Sequence, residues 1–375
     1  MVEGSQVSMK IKRIAQLTTV HPRYDTRILV KTSASLAARG FEVVLLVADS
    51  LEDELVSGVR IVNIGGSKGN RIVKTLNRLV LMFRAAVKEN ADIYHFHDPE
   101  LMLIAPLLKL RGKVVIYDVH EDVPRQVLRK KWIPFLLRRP ISLLIRAVES
   151  LVSKLVDGIV TVTPTIASRF PSEKTIETRN YVDLKEFDSY EPTKSKSLIT
   201  YVGGITEARG IVPMVSAFAN LPVNLTLAGK FQESGLEKKC KSTPGWQNVN
   251  FIGWQSRKSI VEILDETQIG LVVLQATGDY EEAFPVKLFE YMAAGAAVIA
   301  SDFPLWREII DGAECGICVD PASATAIEEA IAYLKNNPDV AKKMGLNGRK
   351  AVVENYNWES QATKLFHMYD KLLSV

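Results

Sequence analysis

The residues best suited to chemistry fall into two groups, and the first is a pair of turns leading into helices. In YVGGITEARGI, a strand ending at Val202 runs into Gly203 and Gly204 before a helix begins. Glycines let the backbone approach a ligand closely, and a helix N-terminus favours an anion. Arg209 adds a cation with several donors, suited to phosphate oxygens. A tight turn carrying a solvated arginine accounts for the segment equally well. The second turn lies in GDYEEAFPVKLFEYMAAGAAVIASDFP, where Pro285 suits the first position of a helix. Lys287, Glu290 and Tyr291 then share one face by their i, i+3, i+4 spacing. Lys287 near the helix start would neutralise a diphosphate. Glu290, one turn deeper, would accept from two neighbouring hydroxyls, as a ribose diol presents them. Glu282, in the preceding loop, would accept from a further polyol. The plain alternative is an ordinary Glu–Lys pair on an amphipathic helix.

Histidines form the second group. His21, His95, His97 and His120 lie in the first 120 residues, and only His367 lies elsewhere. Each of the four stands at or just after the C-terminal end of an expected strand, the edge where open parallel sheets bind ligands. His95 and His97 with Asp98 could be read as a metal-binding HxH. No further Asp/His pair stands at a useful distance, so no metal is expected, and His97 and Asp98 are read as shaping the strand end. His21, Arg23, Asp25 and Arg27 make a polar loop after the first strand, either ligand-facing or simply solvated.

Alternating strands and helices must position these groups. Strands are expected over Ile11–Leu17, Val43–Val47, Val59–Ile64, Ile93–His95, Val114–Tyr117 and Gly158–Val162. A second series covers Leu198–Val202, Asn224–Leu227, Val249–Ile252, Gly270–Leu274, Ala297–Ala300 and Gly316–Val319. Amphipathic helical stretches such as Arg27–Arg39, Ile72–Lys88, Pro213–Ala219 and Val286–Ala294 lie between them. That alternation predicts an α/β fold of parallel sheets covered on both faces. The polar stretch 180–197 separates the series as an expected linker. Two Rossmann-like domains follow, residues 1–188 with a returning helix over 358–375, and residues 198–357. In that last segment, Trp358, Ala362, Leu365, Tyr369 and Leu372 recur at helical spacing behind Asn357, a good cap.

Glu282, seven intervening residues and Glu290, in EAFPVKLFEYMAAGAAVIAS, resemble the signature of the retaining GT-B glycosyltransferases of family 4. YVGGITEARGI resembles that family's phosphate loop, and LTLAGK (225–230) and FIGW (251–254) its next two strand ends. TTVHPRYDTRI, HFHDPEL and IYDVHEDVP resemble a bacterial subgroup that assembles surface polysaccharides such as O-antigen or capsule. The resemblance implies two Rossmann-like domains facing across a cleft, with the C-terminal helix crossing back to the first. It implies a hexosyl- or N-acetylhexosaminyl-transferase taking a sugar from a nucleotide donor, UDP ahead of GDP, with retention. The sugar nucleotide is then a substrate, and neither cofactor nor metal is needed. Glu290 would bind the ribose and Glu282 the donor sugar. Arg209, Lys287 and the Gly203–Gly204 loop would bind the diphosphate, and Gly253–Trp254 would lie beside the base. His120 would contact the sugar near the reacting carbon and, with Glu282, make up the catalytic pair. His21, Arg23, Asp25, Arg27, His97 and Asp98 would face the acceptor. One position departs from the pattern: the family's arginine after the strand is Gly204 here, and Lys287 is expected to replace it.

The 375-residue chain has 47% hydrophobic and 24% charged residues, which excludes disorder and fibrous classes. Its net charge of +4 predicts no nucleic-acid partner. Three cysteines make no disulfide framework, and Cys315 and Cys318 read as buried small hydrophobes. Residues 1–8 lack the apolar run of a signal peptide and read as an extension. The charge is uneven. Arg125 to Lys154 holds eight Lys/Arg and one acid, and Lys68 to Lys88 holds six and none. Arg129, Lys130, Lys131, Arg138 and Arg139 are interleaved with Trp132, Ile133, Phe135, Leu136 and Leu137, the composition of an interfacial membrane anchor. An anionic membrane surface at the inner face of the plasma membrane is the expected partner, with an acceptor glycan carried on a polyprenyl diphosphate. A core-packing helix with a solvated basic face is the alternative. Three other classes remain: a GT-B nucleotide-sugar epimerase, a nicotinamide dehydrogenase, disfavoured because no GxGxxG follows the first strand, and a non-catalytic membrane-bound scaffold.

Overall fold

A computed structural model describes residues 12–66, 70–130, 133–277 and 280–374. Lys131, Trp132 and the expected extension over 1–8 lie outside the described residues. Two compact units result: the first runs to Arg179 and takes in the chain from Gln361, and the second is Asn180–Ser360.

The first unit is built on a sheet of β1 (Arg13–Thr18), β2 (Glu42–Val47), β3 (Glu54–Val56), β4 (Val59–Asn63), β5 (Ile93–Phe96), β6 (Val114–Val119), β7 (Gly158–Thr161) and β8 (Thr175–Glu177). Their order is β3-β4-β2-β1-β5-β6-β7-β8, parallel except for β3. The second unit has β9 (Leu198–Val202), β10 (Leu225–Ala228), β11 (Val249–Gly253), β12 (Thr267–Val272), β13 (Ala297–Ser301) and β14 (Gly316–Val319). Here the order is β11-β10-β9-β12-β13-β14, and every pair is parallel. Strand order reverses beside β1 in one unit and β9 in the other. Crevices at such reversals, beyond the C-terminal strand ends, are where open α/β sheets take ligands. The sequence pattern missed β3 and β8, three-residue strands at the two edges of their sheet with half-exposed side chains.

Alternation along the strands sorts the first unit into two layers. Ala15, Leu17, Tyr94, Phe96, Val115 and Tyr117 pack with Leu79, Met82, Leu108 and Val152 from helices Arg71–Glu89, Ala105–Leu110 and Phe135–Leu155. Ile14, Ile93 and Ile116 face the other way, onto Ile28 and Leu29 and onto Leu365, Met368 and Tyr369 of helix Trp358–Leu373. The same parity sends Gln16, His95 and Asp118 to that second face, and all three are buried. The C-terminal helix thus belongs to the first unit for most of its length, and Trp358, Ala362, Leu365 and Tyr369 form its buried stripe.

The first part of the stretch 180–197, expected as a linker, is packed, while 188–197 is exposed or half-buried. Tyr181, Val182 and Phe187 are buried in the second unit's core with Phe289 and Met292. Three apolar anchors spaced through a polar sequence carried too little periodicity to be read as packed structure.

Candidate functional site

In the second unit, β9 ends against the residues expected to hold phosphate. Gly203 has φ of +133°, and a Cβ there would stand 3.0 Å from Lys287 Nζ. At Gly204 a Cβ would stand 2.5 Å from Gln232 Nε2 and 2.6 Å from Arg209 Nη1. The volume a side chain at 204 would need is therefore already filled by a guanidinium. Arg209 reaches that place because Thr206 caps its short 3₁₀ turn and Gly210, at φ +74°, closes it. Arg209 Nη1 donates to Gly204 O at 3.1 Å and Tyr201 Oη donates to the same oxygen at 2.8 Å, which fixes the loop.

Lys287 stands at the second residue of helix Val286–Ala293, with Pro285 as its N-cap. Its ammonium is shielded from solvent, has no hydrogen-bond partner, and sits 3.9 Å above the Tyr201 ring. Burial and the nearby Arg209 push it down to about 7, against the pull of Glu290. Glu290 is buried, and Arg257 Nη1 donates to its Oε1 at 2.6 Å while gripping Glu186 with two further donors. Arg257 and Glu186 were missed by sequence reasoning, because they lie 33 residues before and 104 before Glu290 and only the fold brings them together. Trp254 is 75% exposed after Gly253, whose φ is +69°. Glu282 ends an exposed 3₁₀ turn, Tyr280–Glu282, and the loop behind it is tied down where Trp306 Nε1 donates to Ala283 O at 2.8 Å.

In the first unit, the ends of β1, β5 and β6 bring together His21, His97, Asp98, Asp118 and His120 around a cavity of about 600 Å³. Asp98 accepts from Thr18 Oγ1 at 2.8 Å, Val20 N at 3.1 Å, the Thr19 amide, and His21 Nδ1 at 2.7 Å. Burial would raise this carboxyl, but His21 and the Thr19 amide outweigh it and hold it near about 2. Asp118 is buried and accepts from Arg27 Nε and Nη2, each at 3.0 Å, and pairs with His97 Nδ1 at 3.1 Å. Those partners keep it well below the ordinary carboxylate range despite its burial. His97 Nε2 meets Gln16 Oε1 at 2.8 Å, and His95 Nδ1 meets Tyr369 Oη at 2.8 Å.

His120 Nε2 faces His21 Nε2 at 3.1 Å, and its buried Nδ1 makes no hydrogen bond and lies 3.9 Å from Asp118 Oδ1. Two such nitrogens share one proton. The Asp98 hydrogen bond raises His21, while burial lowers His120 to about 4, so the proton is held on the His21 side and His120 stays neutral.

Three expected ligand-facing residues are corrected. Arg23 is 4% exposed and clamps Asp49 with two donors and Glu54 with a third, so it braces its own loop. Arg27 is buried on Asp118 and Thr178, and Asp25 caps the π-helix Thr26–Ser33 through the amides of Arg27 and Ile28. Fixed charges in a polar loop read as solvated because the sequence did not show their carboxylate partners. Asp118 was also missed, although YDVH carries it two residues before His120. It joins His95 and His97 in a group whose ligand atoms lie within 4.8 Å. Arg27 already holds the Asp118 carboxylate and both His97 nitrogens are engaged, which argues against a cation there. Burial lifts the thiols of Cys315 to about 12 and Cys318 to about 11, as suits core packing.

On the segment expected to meet a membrane, Arg129 and Arg139 are exposed and Arg138 Nε donates to Ile133 O at 2.9 Å. Phe135 is 78% exposed and Leu136 83%. Ile133, expected among the exposed apolar residues, is instead buried. Among the described residues no helix is long and apolar enough to cross a membrane.

Residues 26–178 match the Glycosyltransferase Family 4 domain, and residues 183–351 match the glycosyl transferases group 1 domain. The MMP alpha-(1->4)-mannosyltransferase of Mycolicibacterium hassiacum is 24% identical over 52% of the chain and 47% of its own length. The chain therefore spans about half the length of that relative. Sucrose-phosphate synthase from Thermosynechococcus elongatus superposes with a TM-score of 0.75 at 19% identity, covering 97% of this chain and 99% of that one. HepE of Anabaena, solved with UDP-glucose, gives 0.70 at 13% identity over 97% and 100%. Both units are thus glycosyltransferase domains, and the chain belongs to the glycosyltransferases of GT-B fold.

Proposed function

We propose that the protein transfers a hexosyl or N-acetylhexosaminyl group, with retention, from a nucleotide sugar to a hydroxyl of a polyprenyl-diphosphate-linked glycan in surface-polysaccharide assembly. The observation that carries the donor half is the Lys287 ammonium, buried without a partner beside Arg209 and the Gly203–Gly204 turn. A buried cation without a counter-charge is costly, and a diphosphate supplies that charge. Lys287 and Arg209 then take the place of the family's two phosphate cations, with Arg209 filling the space a residue at 204 would need. Glu290 keeps one oxygen for the ribose diol while Arg257 holds the other. UDP is the preferred nucleotide, in keeping with the UDP-glucose bound to HepE.

In the proposed reaction, the bond from the anomeric carbon to the phosphate oxygen breaks as the acceptor oxygen attacks the same face. The hydroxyl proton passes to the departing phosphate. Lys287 and Arg209 stabilise the charge that develops on the diphosphate, and being fixed they need no reorganisation. Glu282 positions the donor sugar. His120, kept neutral, is assigned to the donor sugar by the family resemblance.

The acceptor half rests on the outer surface of one helical layer. Helix Phe135–Leu155 exposes Leu136, Leu143, Leu144 and Leu151 beside Arg138, Arg139 and Arg146. Leu76 and Val80 of helix Arg71–Glu89, and Leu107 and Leu110 of helix Ala105–Leu110, are exposed in the same layer. Exposed leucines among cations favour an anionic bilayer, at about 1 kcal/mol per Lys/Arg near the surface. A thermal-shift screen of UDP- and GDP-sugars tests the donor half: UDP-sugars should stabilise the protein, and no shift with any of them would refute it. Flotation with anionic liposomes tests the membrane half. An epimerase acting on a soluble sugar nucleotide would stay in solution.

A further inference from the structure

The cavity in the first unit holds cations that the donor reading does not use. Lys74 and Arg78, one turn apart on helix Arg71–Glu89, line it on one side, and Lys130 lines it beyond helix Val123–Arg129. Arg78 Nη1 donates to Thr19 O at 3.1 Å, while its Nε is shielded from solvent with no partner. His120, in the same cavity, keeps its own orphaned Nδ1. A buried donor left unpaired is expensive, so a site with such orphans is built for a ligand that pairs them.

The carboxylates of the cavity do not supply that pairing. Asp98 is taken by Thr18, Thr19, Val20 and His21, Asp118 by Arg27 and His97, and Glu100 accepts from Thr19 Oγ1 at 2.8 Å. Glu121 remains at the exposed rim. What the wall offers an incoming group is therefore the unpaired Arg78 Nε and a neutral histidine, with Lys74 and Lys130 adding positive charge to the lining. Both flanking helices are basic, and helix Arg71–Glu89 also carries part of the leucine-bearing outer surface.

We infer that this cavity binds a phosphate or diphosphate group of the acceptor, held by Lys74, Arg78 and Lys130. This rests on the transferase reading above and sharpens it. A cavity of about 600 Å³ has room for such an anionic group.

The test is equilibrium binding to the full chain with excess UDP filling the donor site. Farnesyl diphosphate, farnesol and glucose 1-phosphate are the probes. Farnesyl diphosphate or glucose 1-phosphate should bind at least tenfold more tightly than farnesol. Arg78→Met should lose at least tenfold of that affinity, with the UDP-induced thermal shift unchanged. Lys74→Met, at an exposed helix position, gives a second reading should Arg78→Met disturb the Thr19 loop. Preference for farnesyl diphosphate assigns the anion to a lipid carrier, and preference for glucose 1-phosphate assigns it to a soluble sugar phosphate. Either upholds the subsite. Equal binding of farnesol, or unchanged affinity in both variants, overturns it. If UDP gives no shift while the anion still binds, the donor reading fails and the subsite stands.

Discussion

The two strand-end sites solve the problem of buried charge in opposite ways. At the end of β9 the cations outnumber their counter-charges: Arg209 spends one donor on a backbone carbonyl, and Lys287 has no acceptor at all. At the ends of β1, β5 and β6, buried charges are matched inside the protein, Asp98 by His21 and Asp118 by Arg27 and His97. A site that lacks its anion is tuned to bind one. Carboxylates matched in this way hold shape, here the orientation of His120, while the unpaired Arg78 Nε stays on the helical wall of the same cavity. Stability and function are thus opposed at Lys287 and aligned at Asp118.

Replacing Lys287 should separate the two most strongly. Lys287→Met should weaken UDP binding by more than about 100-fold, the worth of a charge-assisted contact in a shielded site. It should also stabilise the empty protein. Lys287 falls from 10.5 to about 7 on folding, so the folded state disfavours the proton and stability rises with pH between those values. Removing the amine should raise Tm by about 4 °C or more at pH 7, with the gain shrinking toward pH 10. Scanning calorimetry across that range checks both signs.

His120→Ala should lower turnover about 100-fold while leaving the UDP-induced thermal shift as in the parent. A matching loss of nucleotide affinity would show that the two sites are not separable. Glu290→Ala should raise the donor KM by about 10- to 150-fold, the range of one hydrogen bond to a charged group, about 1.5–3 kcal/mol. Steady-state kinetics with the stabilising donor measures it. Arg23→Ala should have the smallest functional effect. It frees Asp49 and Glu54 at a cost of about 1–3 kcal/mol, read as a lower urea midpoint, and leaves nucleotide affinity unchanged.

The alternation of apolar runs and amphipathic stretches made both sheets legible, because buried parallel strands leave continuous hydrophobic signals. Edge strands β3 and β8 left none. At the donor site, Gly203, Arg209, Lys287 and Glu290 could be named because they lie within two short segments. Gln232, Arg257 and Glu186 could not, because their places depend on tertiary contact. In the first unit, the histidines stood out by type, but their roles follow from strand parity and from partners far away in sequence, such as Tyr369 on the C-terminal helix. Arg23 and Arg27 show the same limit from the other side: a charged residue reads as available until its carboxylate is found.

The central claim is that Lys287 is held uncompensated for a diphosphate, and its proton is the direct witness. Above pH 7 the empty protein should carry a largely neutral Lys287, and the bound diphosphate should restore the charge. Titrating UDP calorimetrically at pH 8, in two buffers of different ionisation enthalpy, should show net proton uptake approaching one. Affinity should fall by at most about tenfold per pH unit above 7, and Lys287→Met should abolish both the uptake and the pH dependence. Tight UDP binding with no proton uptake, or with uptake that survives in Lys287→Met, would contradict the account.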